Sequence, residues 1–146
     1  METKIVHIGE GKETLTKVPK PPVYLTEDAK KHFLKMGLIL AKHDLLKDKF
    51  LSALEVYAEA MAQWEFSIRR IKEKNKDKIG AGYIQKFKSG AENISVEITL
   101  KNDAEATLFK CFKIFGLDPK SEKELKNTTD PNQVNLFEQL MKSRSS

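Results

Sequence analysis

The sequence predicts a mainly α protein: an antiparallel helical hairpin with a long second helix, an extended or β-hairpin excursion, a third helix, and flexible termini. Three observations carry this reading. Apolar residues recur at helical spacing over residues 26–43 and again, in two stripes, over residues 48–75. Only "KHDLLKDKF", residues 42–50, separates the two patterns, and so short a break folds one helix back along the other. Glycines at 80, 82 and 90 then interrupt the helical period, which resumes later and stops at Gly116.

A chain of 146 residues holds one domain. The expected division is a flexible tail over 1–24, a helical domain over 25–125, and a tail over 126–146 with a short amphipathic segment. Charged residues make up 32% and hydrophobic ones 40%, which is ordinary for a globular or helical protein. No apolar run approaches the roughly 20 residues that a membrane span needs. The opening "METKIVHIGEGKETLTKVPKPP" is charged and does not read as a secretory signal. A single cysteine, Cys111, excludes an internal disulfide and fits a reducing cytoplasm.

The prolines of "VPKPP" exclude a helix before residue 25 and favour an extended chain. The first helix should start at Thr26, whose hydroxyl can cap free amides, with Glu27 and Asp28 at the positive end of the dipole. Ala29, Phe33, Met36 and Leu40 mark its apolar face, and it should end near Lys42–His43. The second helix is expected from about Asp48 to Asn75. Phe50, Ala53, Tyr57, Ala60, Trp64 and Ile71 form one stripe; Leu51, Leu54, Ala58, Met61 and Ile68 form the other. Two stripes need two covering surfaces, and a later helix of the same chain or another subunit could supply the second. With one further sizeable helix available, a contribution from both is expected, with Phe50, Tyr57, Met61, Trp64, Ile68 and Ile71 as oligomerisation residues. At ~1.5 Å per residue the second helix is about 40 Å long and the first about 24 Å, so the longer arm overhangs.

Around "KSGAEN" a β-hairpin is expected. The stretch "ISVEITL" alternates like a strand, while Leu100, Ala104, Leu108, Cys111, Phe112 and Phe115 form a helical arc that continues from it. A third helix therefore covers about 104–115 and ends at a glycine cap, but periodicity leaves its start open between Ser95 and Asn102. Near the C-terminus, Asp130 and Pro131 suit a helix start, and Val134, Phe137, Leu140 and Met141 share one face. That segment could dock on its own domain or on a partner protein.

Charge is unevenly spread. Residues 66–90 hold eight basic side chains, Arg69, Arg70, Lys72, Lys74, Lys76, Lys78, Lys86 and Lys88, against Glu73 and Asp77, a local charge of +6; elsewhere 18 basic residues face 19 acidic ones. Such a block reads either as a nucleic-acid site or as a solvated helix end. Chemistry is otherwise missing from the pattern. His7, His32, His43 and Cys111 lack metal-ligand spacing, and His32, four residues after Asp28, reads as a surface pair. There is no phosphate-binding glycine loop and no nucleophile motif. No catalytic residue, metal, cofactor or small-molecule substrate is expected, nor any membrane association. Binding or assembly is the reading, whether to DNA or, as a helical adaptor or small regulator, to a protein.

Several ordered stretches carry more. "LTEDAKKHF", "LLKDKFLSALEVYAEAMAQWE", "GYIQK" and "ITLKNDAEATLFKCFKIFGLDPKSEKEL" follow one another over residues 22–125 as in phage terminase small subunits, which the chain resembles. The matching positions include Leu25, Thr26, Leu46, Leu54, Tyr57, Ala58, Trp64, Gly82 to Gln85, Ile98, Leu100, Asn102, Ala104, and Phe115 to Leu117 with Pro119. Lys47 stands where the family has a capping Thr, leaving Asp48 to cap the second helix. Phe50 replaces an acidic residue, "SVE" replaces Asn-Pro with Ser95 as the cap, and the Arg after Pro119 is absent. The resemblance favours a helix from about Val96. It implies a non-catalytic protein of the host bacterial cytoplasm that forms a ring-like homo-oligomer. Such a protein binds double-stranded viral DNA at the packaging start site and passes it to the large ATPase–nuclease subunit. On that reading the eight basic residues of 66–90 are the DNA contacts, and Val134, Phe137, Leu140 and Met141 dock on the large subunit.

Overall fold

The computed structural model describes residues 14–119, and within them the chain is mainly α. α1 (Glu27–Lys42) and α2 (Leu51–Asp77) form the antiparallel hairpin, β1 (Ile84–Lys86) and β2 (Glu92–Ile94) the excursion, and α3 (Val96–Ile114) returns along α2. α2 carries the packing to both other helices, which hardly touch each other. Ala29, Phe33, Met36 and Leu40 of α1 are buried as their spacing requires, in one core with Leu54, Tyr57 and Ala58 of α2 and Leu108 and Cys111 of α3. Each large aliphatic or aromatic side chain so buried stabilises the fold by about 1.5–3 kcal/mol relative to exposure.

The entry to α1 is held twice. Thr26 Oγ1 accepts from the Ala29 amide at 3.3 Å, while its own amide and hydroxyl donate to the Glu59 carboxylate of α2 at 2.8 and 3.2 Å. The Tyr24 hydroxyl donates to Glu55, one turn earlier on α2. Upstream, residues 14–24 run without a helix. Leu15 donates its amide to the Leu46 carbonyl at 2.7 Å, and Val18 lies on Gly37, where any Cβ would come within 2.5 Å of a Val18 methyl. Residues 1–13 and 120–146, with the expected C-terminal segment, lie outside the described residues.

The break in "KHDLLKDKF" is an ordered reversal. Leu45 donates to the Leu40 carbonyl at 2.8 Å and Asp44 to that of Ala41 at 3.2 Å, the paired bonds of a Schellman cap. Asp44 occupies the left-handed position with φ of 57° where glycine is usual, and Leu45 and Leu46 turn into the core behind it. The expectation that Asp48 caps α2 is not met. A 3-10 turn, Asp48–Phe50, precedes the helix, Phe50 donates its amide to the Lys47 carbonyl at 2.9 Å, and no side chain caps either start. The tighter turn pairs a free amide by backbone alone, which removes the need for a carboxylate. α2 then continues to Asp77, two residues past the expected end.

The alternating stretch resolves as helix. Ser95 caps α3, its hydroxyl accepting from Ile98 at 3.2 Å, and Val96 begins the helix. At the far end Leu117 donates to the Phe112 carbonyl at 2.8 Å and Gly116, with φ of 78°, to that of Lys113 at 3.0 Å. The β-hairpin pairs Ile84 with Ile94 and Lys86 with Glu92, and turns through Gly90 at φ of 87°. Its base is fastened to α2. The Gly82 amide donates to Asn75 Oδ1 at 2.8 Å, and Ser95 Oγ donates to the Gly82 carbonyl at 2.6 Å.

A Cβ at residue 82 would stand 2.5 Å from the Ile71 carbonyl oxygen, which is backbone and cannot yield. Gly82→Ala is expected to cost about 1–3 kcal/mol in urea denaturation. Asp44→Gly should instead raise stability by roughly 1 kcal/mol, by removing left-handed strain and a negative charge at a helix C-terminus.

Candidate nucleic-acid interface

The last turns of α2, the hairpin and the start of α3 form one end of the molecule, and all eight basic residues of the block are placed on it. Folding divides them. Arg69 pairs with Glu65 at 3.1 Å, and Glu65 also reaches His32 Nε2 of α1 at 3.1 Å. That bridge between helices replaces the expected pairing of His32 with Asp28, which instead lies 4.0 Å from Lys31. Arg70 pairs with Glu73 at 3.4 Å, Lys74 with Glu97 at 2.7 Å, and Lys86 with Glu92 across the strands at 3.3 Å. Lys72, Lys76, Lys78 and Lys88 are exposed and have no carboxylate partner among the described residues. The fold thus sets Glu65 and Glu92, which flank the block, and Glu97 of the next helix against it, and so decides which of its cations are neutralised.

Glu97 is the most constrained of these acids. The residue is only 7% exposed, its Oε1 accepts from Lys74 with Arg70 Nε 4.0 Å away, and its Oε2 is buried without a partner. The hydrogen bond from Lys74 holds its pKa below the ordinary carboxylate value, against the opposing effect of burial. The tip of α2 is thereby tied to the first turn of α3.

Beside this pair opens a groove of about 590 Å³. Ile68, Ile71 and Ile98 give it an aliphatic floor, with Asn75 beside them and the Tyr83 ring, half exposed, at one side. Lys72 and Lys76 from α2 and Lys101 from α3 stand around it, Lys101 also bonding Glu105 at 2.7 Å. Neither Lys101 nor the groove is marked by sequence pattern, because the helical arc of α3 runs through Leu100 and Ala104 and passes over both Ile98 and Lys101.

The residues expected at a subunit interface are largely accounted for within one chain. Tyr57 is buried, its ring 6.0 Å from Phe112 and 5.9 Å from Phe115, and burial pushes its hydroxyl pKa up to about 12. Ile71 is buried beside Gly82. Trp64 is half-buried and donates to Glu105 of α3 at 3.0 Å. Phe50, Met61 and Ile68 are also half-buried, Phe50 beneath the Lys47 and Lys49 ammonium groups. Large apolar side chains that remain exposed lie elsewhere: Ile79, Tyr83, Ile84, Phe87, Ile94 and Val96 in and beside the hairpin, Val56 and Phe66 on α2, Leu34 and Leu38 on α1, Phe109 and Ile114 on α3, and Val23 and Tyr24 before α1. Val134, Phe137, Leu140 and Met141 fall outside the described residues.

Among the described residues no group of three or more His, Cys, Asp or Glu side chains could hold a metal ion, and no helix is long and apolar enough to cross a membrane. Cys111 is buried, and burial raises its thiol pKa away from the reactive thiolate. The family described as phage terminase, small subunit, matches this chain over residues 29–132. No curated protein and no solved structure matches it.

The folded-state pKa of Glu97 lies below its unfolded value of about 4.5. Its stabilising contribution is therefore fully present above pH 4.5 and is lost as the pH falls through the folded value. Glu97→Gln should lower stability at pH 7 and flatten the loss of stability between that plateau and the acid range, read as melting temperature against pH.

Proposed function

The chain belongs to the phage terminase small-subunit family, and from that premise we propose that it binds double-stranded viral DNA at the packaging start site and recruits or regulates the large ATPase–nuclease subunit. It does so as a non-catalytic homo-oligomer in the host bacterial cytoplasm. The observation that carries the DNA reading is a group of four exposed lysines without a carboxylate partner among the described residues, Lys72, Lys76, Lys78 and Lys88, at one end of the molecule. Other such lysines, Lys35, Lys42, Lys49, Lys110 and Lys113 among them, are spread over the rest of the fold. Phosphates are attracted most by charges that no internal acid already neutralises. Arg69, Arg70, Lys74 and Lys86 stand behind them and can exchange an internal carboxylate for a phosphate.

Repeated around a ring, a weak patch of this kind gains through effective concentration. Self-association draws on the half-buried members of the central stripes, Phe50, Met61, Trp64 and Ile68, and on the exposed Phe66, Ile79, Ile84, Phe87 and Ile94. Tyr57 and Ile71 act from inside the fold by shaping that surface. Beyond α3, Val134, Phe137, Leu140 and Met141 contact the large subunit. A second reading, a helical adaptor that binds protein and not DNA, is favoured by the exposed cross-strand pair Ile84 and Ile94.

Replacing Lys72, Lys76, Lys78 and Lys88 together with alanine should weaken duplex binding and reduce the slope of log K against log salt by roughly 0.9 per lost phosphate contact. Gel-shift titrations at several salt concentrations measure both. An unchanged slope, or negligible wild-type affinity at physiological salt, leaves the adaptor reading. Removing residues 128–146 should abolish co-purification with the large subunit and leave duplex affinity in place.

A further inference from the structure

We propose that the groove between α2, α3 and Tyr83 is a docking site for an acidic amphipathic helix of a partner protein. Its floor is aliphatic, from Ile68, Ile71 and Ile98, and its margins are cationic on both sides, Lys72 and Lys76 on α2 and Lys101 on α3. An occupant must satisfy both features at once. Duplex DNA presents phosphates outward, and its apolar surface, thymine methyls and base steps, lies inside its own grooves, where protruding side chains reach it and a recessed set of isoleucines does not. Single-stranded DNA binds by stacking successive bases on aromatic platforms, and one ring, Tyr83, lines this groove. A helix with apolar side chains at i, i+3, i+4 and i+7 and carboxylates on both flanks meets floor and margins together.

Lys72 and Lys76 are one helical turn apart, so they match carboxylates spaced by one turn on a helix lying alongside α2. Lys101 already holds Glu105 at 2.7 Å, and a carboxylate from the incoming helix would share that ammonium. The chain's own C-terminal stretch does not fit the requirement. Residues 119–146 carry five basic side chains, Lys120, Lys123, Lys126, Lys142 and Arg144, against four acidic ones, Glu122, Glu124, Asp130 and Glu138. Charge complementarity therefore points to a different, acidic polypeptide.

The experiment uses the full chain and fluorescence anisotropy. The probe is a labelled helical peptide of about 18 residues with leucines at i, i+3, i+4 and i+7 flanked by glutamates. Its controls are the same peptide with lysines for glutamates, a single-stranded oligothymidine and a DNA duplex. The expected result is saturable binding of the acidic peptide, for which duplex competes in part through the shared Lys72 and Lys76. K72E/K76E should weaken it by about tenfold or more. Tyr83→Ser, at a half-exposed position, should weaken peptide binding while duplex affinity stays within about twofold, which separates this site from the DNA reading. Circular dichroism confirms that each variant folds. Absence of saturable peptide binding overturns the proposal, as does equal affinity for the lysine peptide or for K72E/K76E. Oligothymidine binding that Tyr83→Ser abolishes would assign the groove to single-stranded DNA. Peptide binding that vanishes as the protein self-associates would assign it to a second copy; either outcome overturns the proposal.

Discussion

A helix of 27 residues with apolar side chains on two sides cannot persist alone in water, because its stability comes from burial and not from propensity. Everything else in the described fold answers that requirement of α2. α1 covers one side through Phe33, Met36 and Leu40, while α3 covers the other through Leu108 and Cys111, with Phe115 at its C-cap. The polar contacts follow the same logic. Glu55 and Glu59 of α2 hold the entry to α1, Glu65 holds His32, Trp64 holds Glu105, and Lys74 holds Glu97. Each fixes the lateral position of a neighbour whose burial supplies most of the energy.

Much of this was legible in the order of residues. Thr26, Ser95 and Gly116 act where their capping chemistry placed them, and the four apolar residues of α1 are all buried. Asp48 was misread because a backbone-paired 3-10 turn does the work assigned to a side chain. Asp44 gave no warning, since aspartate is an uncommon occupant of the left-handed position that ends α1. The reading of two stripes as exceeding what one chain can cover also lacked a piece of information. Periodicity reports that a surface must be buried, and it is silent on whose surface does it. In this chain α3 is long enough, at 19 residues, to leave every member of both stripes buried or half-buried.

The basic end shows a different limit. Counting charges along residues 66–90 gives the sign of the field but not its free part. Glu65 and Glu92 lie only one and two residues outside the block and Glu97 seven. A count along the chain does not say which lysine or arginine each will face; the neighbouring turn, the opposite strand and the next helix decide it. What remains unneutralised is a set of lysines and no arginines, because both arginines are engaged with carboxylates. Lysine is a compact, rotatable charge without the planar fork that reads paired acceptors, which suits contacts to phosphate more than to base edges. The groove was hidden for a further reason: it exists only where α2, α3 and the chain at Gly82–Tyr83 converge.

The close seating of Val18 on Gly37 and the bond from Leu15 to Leu46 fix where the described chain enters, beside the α1–α2 reversal. It departs from the same pole, since Phe115 and Leu117 close α3 within the core there. The lysines and the groove lie toward the opposite pole, about 25–40 Å away along α2. A label or surface tether attached where the described chain enters or leaves, near Leu15 or Leu117, accordingly starts from the far side of the molecule and leaves the cationic pole facing solution, the orientation that immobilised binding assays require.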